Sequence, residues 1–440
     1  MEPQKKENGK TEKFKTQKEI WEERIQKVSG GSSVGFLSRR WVPAGEKLGL
    51  LLLFLINLWM LLPFFGSPDE TNVFSAPLLP ILADLISPLA SYAHAIRIVT
   101  LIFMIFFPIS FFFFIKEISG RRLIGLLSSF LAVLPRGNFL STRVHFGIFG
   151  GDAAYIASLT LTPLACLLLL RFLRTGSFPS AIFSALVVVL IAVTSPMGLL
   201  VLLIFATFIT FSEMLLGASR LKLLRHLTVL CLAAGFSAFW YNPKFIYLTI
   251  VSSQGQLIWR TFSNILPVSF FLVPLLGVFG FLLFENRAHL QALFISFFLT
   301  VGFGLLVAGL GFSTVSSSRF EPAFGISLAF LLGVGITLFL DYFKDSESLG
   351  RIEIIASYRN LLMRGMIAAI FLFFLFLFVS YGRSLFPSEE RVLGFLIPEH
   401  GIGLWEIRER TSQGETLVGY AISVLTGAGV GILRLKLRGA

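Results

Sequence analysis

Two adjacent carboxylates, Asp69 and Glu70, are the side chains of this sequence that most directly suggest chemistry. They lie in the run Ser67-Pro68-Asp69-Glu70-Thr71-Asn72, immediately after the first long apolar segment. Adjacent carboxylates repel each other, which raises the pKa of one of them and makes it a suitable general base. Just outside a bilayer, such a base could take the proton from an acceptor hydroxyl while that oxygen attacks a lipid-linked donor. The alternative is a solvated turn that caps the next helix.

The leaving group of that reaction, a polyprenyl phosphate, would need Arg or Lys side chains to stabilise its negative charge. The candidates predicted on the same side of the membrane are Arg136, Arg143, Lys244, Arg260 and Arg319. Arg319 lies in Ser316-Ser317-Ser318-Arg319-Phe320-Glu321-Pro322, directly before a predicted helix. There it either holds a phosphate or pairs with Glu321. We expect Arg136, Arg143 and Arg319 to bind the phosphate.

Asp152, in Phe149-Gly150-Gly151-Asp152, opens a predicted helix. It is either an ordinary N-cap or a second acid that binds a metal ion or the acceptor. The run Thr194-Ser195-Pro196-Met197-Gly198 predicts a tight outer turn, and Trp240-Tyr241-Asn242-Pro243 predicts the aromatic end of a helix. The five His residues have no ligand spacing, so the sequence predicts no zinc site.

The composition requires that these residues be positioned by helices in a lipid bilayer. Of 440 residues, 55% are apolar and only 14% are charged, and the mean hydropathy is +0.81. A soluble surface needs more charge, so disorder, coiled coils and disulfide scaffolds are excluded. We predict an all-α, polytopic integral membrane protein with about eleven transmembrane helices, within a range of about 9 to 13. The predicted helices are 48–65, 96–115, 123–135, 153–170, 181–195, 199–216, 226–241, 265–284, 290–311, 323–340 and 362–381.

The distribution of basic residues predicts the orientation of the chain. With the N-terminus in the cytoplasm, 24 of the 37 Lys and Arg residues fall on the cytoplasmic side and six on the opposite side, and the other seven follow the last predicted helix. The six are Arg97, Arg136, Arg143, Lys244, Arg260 and Arg319. This asymmetry is typical of positive-inside insertion into a plasma membrane, and it explains the net charge of +12 without a nucleic-acid partner. No carboxylate is expected in the middle of the membrane, which disfavours an ion-coupled permease.

The sequence divides into three regions around this helical domain. Residues 1–47 form a polar cytosolic tail with eleven Lys or Arg and seven Asp or Glu. Residues 48–382 form the transmembrane domain, with a first outer loop at 66–94 in which Leu78–Leu89 predicts a short interfacial helix. Residues 383–440 form a short extracytoplasmic segment that ends the chain outside the membrane. Within it, Leu404–Arg410 predicts a helix and Glu415–Val424 predicts a strand.

These features resemble the GT-C superfamily of membrane glycosyltransferases, in which interfacial helices and an acidic pair follow the first helix. Pro68-Asp69-Glu70 is similar to the Asp-Glu motif of protein O-mannosyltransferases and of the aminoarabinose transferases of lipid A. Four further runs resemble a prokaryotic GT-C-like group named as 6-pyruvoyl-tetrahydropterin-synthase-related membrane proteins. They are Gly151-Asp152-Ala153-Ala154-Tyr155 with Thr162-Pro163-Leu164, Thr194-Ser195-Pro196, and Trp405-Glu406-Ile407-Arg408-Glu409-Arg410-Thr411.

The resemblance implies that Asp69 is the general base of a hexosyl or pentosyl transferase. Glu70 would orient it, or bind the acceptor or a divalent cation such as Mg²⁺ or Mn²⁺. The sugar would come from a polyprenyl-phosphate lipid. Two alternatives remain open, a transporter or flippase for a lipid-linked sugar and an inactive structural relative.

Overall fold

The polypeptide folds into helices throughout the part described by the computed structural model, which comprises residues 44–68, 76–134, 142–251, 288–307, 317–345 and 411–439. This confirms the predicted all-α class. Short 3-10 helices at Leu62–Gly66 and Ser317–Phe320 continue or precede longer helices. The α-helices are α1 (Ala44–Leu61), α2 (Leu78–Ile86), α3 (Tyr92–Ser119), α4 (Arg122–Val133), α5 (Thr142–Ile148), α6 (Ala153–Thr175), α7 (Phe178–Thr194), α8 (Pro196–Leu215), α9 (Ser219–Ser237), α10 (Pro243–Val251), α11 (Ala288–Val307), α12 (Glu321–Asp345) and α13 (Gln413–Gly439).

Within the described residues, six helices are long and apolar enough to cross a membrane, which makes this a membrane protein. They are Gly45–Gly66, Tyr92–Ser119, Ala153–Thr175, Pro196–Leu215, Glu321–Leu340 and Gln413–Leu435. Shorter apolar helices are Arg122–Val133, Phe178–Thr194 and Gln291–Val307. Nine of the predicted helices are present. The predicted helices 265–284 and 362–381 lie outside the described residues, so the total of about eleven stays a prediction.

The loops contain more helix than the sequence predicted. The expected short helix in the first outer loop is confirmed as α2, whose Leu79 and Ala83 pack against Ala95 and Val99 of α3. Helices α5 and α10 were not predicted. Each has fewer than ten residues, and a run of that length gives too few turns for a helical periodicity to be recognised.

The strand predicted at Glu415–Val424 is wrong, because these residues belong to α13. A capping box begins this helix: the Ser412 Oγ accepts from the Glu415 N–H at 3.3 Å, and the Glu415 Oε2 accepts from the Ser412 N–H at 2.8 Å. The Ser-x-x-Glu spacing is visible in the sequence. The β-branched residues that followed it led to the strand prediction.

Helix α13 runs antiparallel to α9 and is attached to it by small polar residues. The Ser423 hydroxyl donates to the carbonyls of Gly235 and Phe236 at 3.1 and 3.3 Å and accepts from the Phe239 N–H at 2.9 Å. A Cβ on Gly419 would overlap the Ala238 carbonyl, so glycine permits the close approach of the two backbones. The rest of α13 is largely exposed.

Helix α6 forms the centre of the bundle, where it contacts α3, α5, α7, α8 and α9. Most of its side chains are buried. The predicted turn between α7 and α8 is confirmed: Ser195 is extended and its Oγ accepts from the Gly198 N–H at 3.4 Å. A Cβ on Gly198 would overlap the Ser158 hydroxyl, which explains glycine at this contact between α8 and α6.

Ion pairs join the helices at one end of the bundle. Glu213 accepts from Arg174 and Lys222, both at 2.9 Å, and from Gln291 at 2.8 Å. The side chains of Glu213 and Lys222 are each only 2% exposed. Glu46, at the start of α1, binds Lys116 and Arg122. All of these residues belong to the side that the charge distribution predicts to be cytoplasmic. We call this end the inner end and the opposite end the outer end.

Candidate functional site

The acidic pair predicted to be catalytic, Asp69 and Glu70, lies outside the described residues, as do Arg136 and Arg260. The structure describes the chain up to Pro68 on one side of the pair. It also describes Arg143, Asp152, Lys244 and Arg319. These four residues therefore determine how much of the predicted site is brought together.

Arg143 lies in α5 and is almost fully buried, with 2% of the residue exposed. Its guanidinium carbon lies 4.1 Å from the centre of the Phe107 ring of α3. Among the described residues, none of its three side-chain nitrogens has a hydrogen-bond partner. Burial lowers the pKa of Arg143 to about 9, so the group still carries its charge at neutral pH. Burying an unpaired charge costs roughly several kcal/mol, and a cation–π contact offsets only part of this cost.

Arg319, in the 3-10 helix before α12, lies near Asp152 at the start of α6. Its Nε is 4.0 Å from the Asp152 Oδ2, and both side chains are partly exposed, at 24% and 21%. Among the described ion pairs, Arg319 joins Asp152 rather than its chain neighbour Glu321. A pair at this distance and exposure binds weakly, so Arg319 remains available to an anion.

Asp152 occupies the N-cap position of α6. Its carboxylate makes no capping hydrogen bond of good geometry. Burial raises the pKa of Asp152. The positive charge of Arg319 and the backbone N–H of Tyr155 favour the ionised carboxylate and offset part of this rise in pKa. Asp152 is thus a partly exposed carboxylate beside a basic side chain, and both interpretations, a helix cap and a second acid, stay predictions.

Tyr155 is a further member of this group that the sequence analysis did not identify. It lies three residues after Asp152, one turn along α6, and is fully buried. Its hydroxyl has no hydrogen-bond partner among the described residues, and it lies within electrostatic range of Asp152 and Arg319. The spacing in Gly151-Asp152-Ala153-Ala154-Tyr155 was the signal that could have identified it.

Lys244 contacts other residues. Its Nζ lies 3.7 Å from Glu415 Oε1 of α13 and 5.6 Å from the centre of the Tyr247 ring. These contacts give Lys244 a structural role at the junction of α10 and α13. The predicted helix end at Trp240–Pro243 is confirmed: α9 ends at Ser237, and Asn242 accepts from the Phe245 N–H at 2.7 Å at the start of α10.

No metal centre is evident in the part of the chain that the structure describes. These residues contain no group of three or more His, Cys, Asp or Glu that could hold a metal ion. The Nε2 of His145, in α5, has no partner there, and burial lowers the pKa of His145. The divalent cation that the resemblance associates with Glu70 depends on residues outside the described ranges.

The best-formed cavities among the described residues are small and apolar. Each holds about 10 Å³, the volume of about one water molecule. One is lined by side chains that include Phe111, Pro163 and Phe205, and the other includes His226. None of the outer polar residues Arg143, Asp152, Tyr155 and Arg319 lines either cavity.

Comparison with known proteins gave no match: no protein-family model and no curated protein matches this sequence.

Proposed function

We propose that this protein is a membrane glycosyltransferase that moves a sugar from a polyprenyl-phosphate donor to an acceptor. The reaction takes place at the extracytoplasmic face of the plasma membrane. The enzyme is a hexosyl or pentosyl transferase with about eleven transmembrane helices. The acidic pair after the first helix and its resemblance to GT-C enzymes motivate the proposal. Its partners are the lipid-linked sugar and the surrounding membrane lipids.

The observation that carries the proposal is the buried guanidinium of Arg143. It is positively charged, stacked on Phe107 and without an acidic partner among the described residues. A phosphate oxygen is the chemical group that best complements such a guanidinium. Because α5 lies at the predicted outer end, the phosphate would come from a lipid whose headgroup faces that side.

The proposed reaction is a displacement with inversion at the anomeric carbon. Asp69 takes the proton of the acceptor hydroxyl, and the oxygen attacks the sugar carbon. The bond from that carbon to the phosphate oxygen breaks, and its electron pair leaves with the polyprenyl phosphate. Arg143 and Arg319 stabilise the charge that develops on the phosphate. Glu70 orients Asp69, and Asp152 acts as a second acid near the acceptor.

An inactive structural relative is one alternative, and such a protein would bind the lipid-linked sugar without transferring it. A flippase for the same lipid is the other alternative, because it needs the phosphate-binding arginines without a base.

The test uses the full-length protein in liposomes with radiolabelled polyprenyl-phosphate hexose or pentose. A transferase breaks the sugar–phosphate bond and releases free polyprenyl phosphate, whereas a flippase only moves the intact lipid between leaflets. We expect Asp69→Asn to lower turnover by at least about 100-fold and Arg143→Ala by a similar factor. Arg225→Ala, which changes an arginine at the inner end, is the matched control and should leave turnover unchanged. Full turnover in the Asp69→Asn protein, or movement of intact lipid without cleavage, would overturn the proposal.

A further inference from the structure

The first turns of α3 contact the chain that follows α1. His94 Nε2 lies 3.2 Å from the Gly66 carbonyl oxygen, and its Nδ1 lies 2.7 Å from the Ser91 hydroxyl, which fixes the ring. One turn later, Arg97 Nη2 donates to the Pro68 carbonyl at 3.5 Å. Two side chains of one helix face therefore bind the backbone of residues 66–68.

The same Arg97 also binds the end of α5. Its Nη1 donates to the carbonyls of Gly147 and Ile148 at 3.3 and 2.6 Å. The last carbonyls of a helix have no partner within the helix and carry partial negative charge, so a guanidinium there is favourable. Arg97 is only 5% exposed, and these charge-assisted bonds form in a poorly solvated position.

Arg97 thus joins two segments that are far apart in sequence. A guanidinium has five donors in a fixed plane, so it holds several acceptors in one defined geometry. The rings of Phe64 and Phe149, with centres 5.6 Å apart, form a second contact between the same two segments. One of these segments leads into Asp69 in the sequence, and the other carries Arg143.

We propose that Arg97 is a positioning residue that fixes the backbone at Pro68 relative to helix α5, with His94 holding the same chain one turn earlier. We call the contacts of Arg97 with the carbonyls of Pro68, Gly147 and Ile148 the Arg97 joint. Through this joint, Arg97 fixes Pro68, the residue before the acidic pair, relative to the phosphate-binding Arg143. This role rests on the proposed function. The joint itself is a property of the described residues and can be tested without any activity.

The first experiment measures amide hydrogen exchange of the full-length protein in nanodiscs. Arg97→Ala should raise exchange about fivefold both in peptides covering 62–68 and in peptides covering 142–151, because both segments lose their common partner. Arg97→Lys keeps the charge without the planar fork and should have a smaller effect on both segments. Arg225→Ala is the matched control, since Arg225 also donates to a helix-end carbonyl, that of Leu173 at 2.7 Å, at the inner end. An increase confined to one segment, or an equal increase with Arg225→Ala, would overturn the joint.

The second experiment measures sugar transfer from the polyprenyl-phosphate donor. Arg97→Ala should lower kcat by about 10- to 100-fold while the KM for the donor changes little, because Arg97 positions groups without touching the substrate. Arg97→Lys should restore part of kcat. An unchanged kcat in Arg97→Ala would overturn the positioning role. If the natural protein transfers no sugar, the proposed function fails, and the exchange experiment still decides whether the joint exists.

Discussion

The Nε of Arg319 lies 4.0 Å from the Oδ2 of Asp152, close enough for attraction and too far for a hydrogen bond. The carboxylate gains little from this neighbour, and burial keeps the pKa of Asp152 above its ordinary value. A carboxyl whose pKa is raised by folding stabilises the protein when protonated, and this contribution is lost as the pH rises through the raised pKa.

The protein with the neutral isostere Asn at position 152 should therefore be more stable at neutral pH than the natural protein. We expect Asp152→Asn to raise the Tm at pH 7 by about 1–2 °C and to have a smaller effect at lower pH, where a larger fraction of Asp152 is protonated. Thermal unfolding in detergent, followed by tryptophan fluorescence at both pH values, measures this. A lower Tm at pH 7 would mean that the pair with Arg319 outweighs desolvation.

Replacement of Arg143 should stabilise the protein while it removes function. In Arg143→Met an apolar chain of similar length replaces a buried charge that has no acidic partner among the described residues, and such replacements are neutral or stabilising by about 1–4 kcal/mol. Lost contact with Phe107 reduces this gain. We expect the Tm to stay constant or rise while sugar transfer is lost.

Arg97→Met is the matched control for that experiment. Arg97 is equally buried, but it binds three backbone carbonyls, so its replacement leaves these acceptors without their partner. The Tm should fall. Equal losses of stability in the two variants would contradict the view that Arg143 is held for function.

The buried carboxylate at the inner end should contribute strongly to stability. Glu213→Gln removes the buried carboxylate that binds both Arg174 and Lys222, and breaking such a buried pair costs about 3–5 kcal/mol. We expect a marked fall in Tm. Glu117→Gln removes the partner of Arg171 in a pair with side chains 33% and 35% exposed, and it should change the Tm little. Similar losses in the two variants would show that the Glu213 network is not specially stabilising.

Helix α13 should cross the membrane, which would return the chain to the inner side. It begins at the outer end beside Lys244 and runs antiparallel to α9, and its last turns carry Arg434, Lys436 and Arg438. This differs from the expectation that residues 383–440 remain extracytoplasmic. Cysteines at Thr411 and Gly439, in a protein without Cys166 and Cys231, test the two arrangements.

In intact cells, a membrane-impermeant maleimide should label Thr411→Cys and should label Gly439→Cys only after permeabilisation. Ser67→Cys, predicted to face outside, and Thr175→Cys, predicted to face inside, serve as controls. Labelling of both terminal positions from outside would mean that α13 lies along the membrane surface.

The apolar runs and the charge asymmetry predicted most of the helices because both depend only on local composition. Each ion pair described above joins residues predicted at the same end, such as Arg319 with Asp152 and Glu213 with Lys222. Helix α13 was missed because glycine and β-branched residues obscured its pattern, although Ser412 and Glu415 form a recognisable capping box.

The candidate site was predictable only as a set of residues on one side of the membrane. Nothing in the sequence distinguishes Arg143, which has no acidic partner in the described part of the chain, from Lys244, which pairs with Glu415. Arg97 was counted as one more outer charge, because its role depends on carbonyls from residues 68, 147 and 148. Such contacts arise from tertiary packing, and spacing along the chain does not encode them.

The hydroxyl of Ser423 binds the end of α9 through residues nearly two hundred positions earlier in the chain. A ribosome therefore makes the described helices α1 to α12 before it delivers the group that completes this contact. Until then the backbone groups of Gly235, Phe236 and Phe239 must find other partners, in lipid headgroups, in water or in the insertion machinery. The polar groups at the end of α9 thus obtain their partner only when α13 arrives.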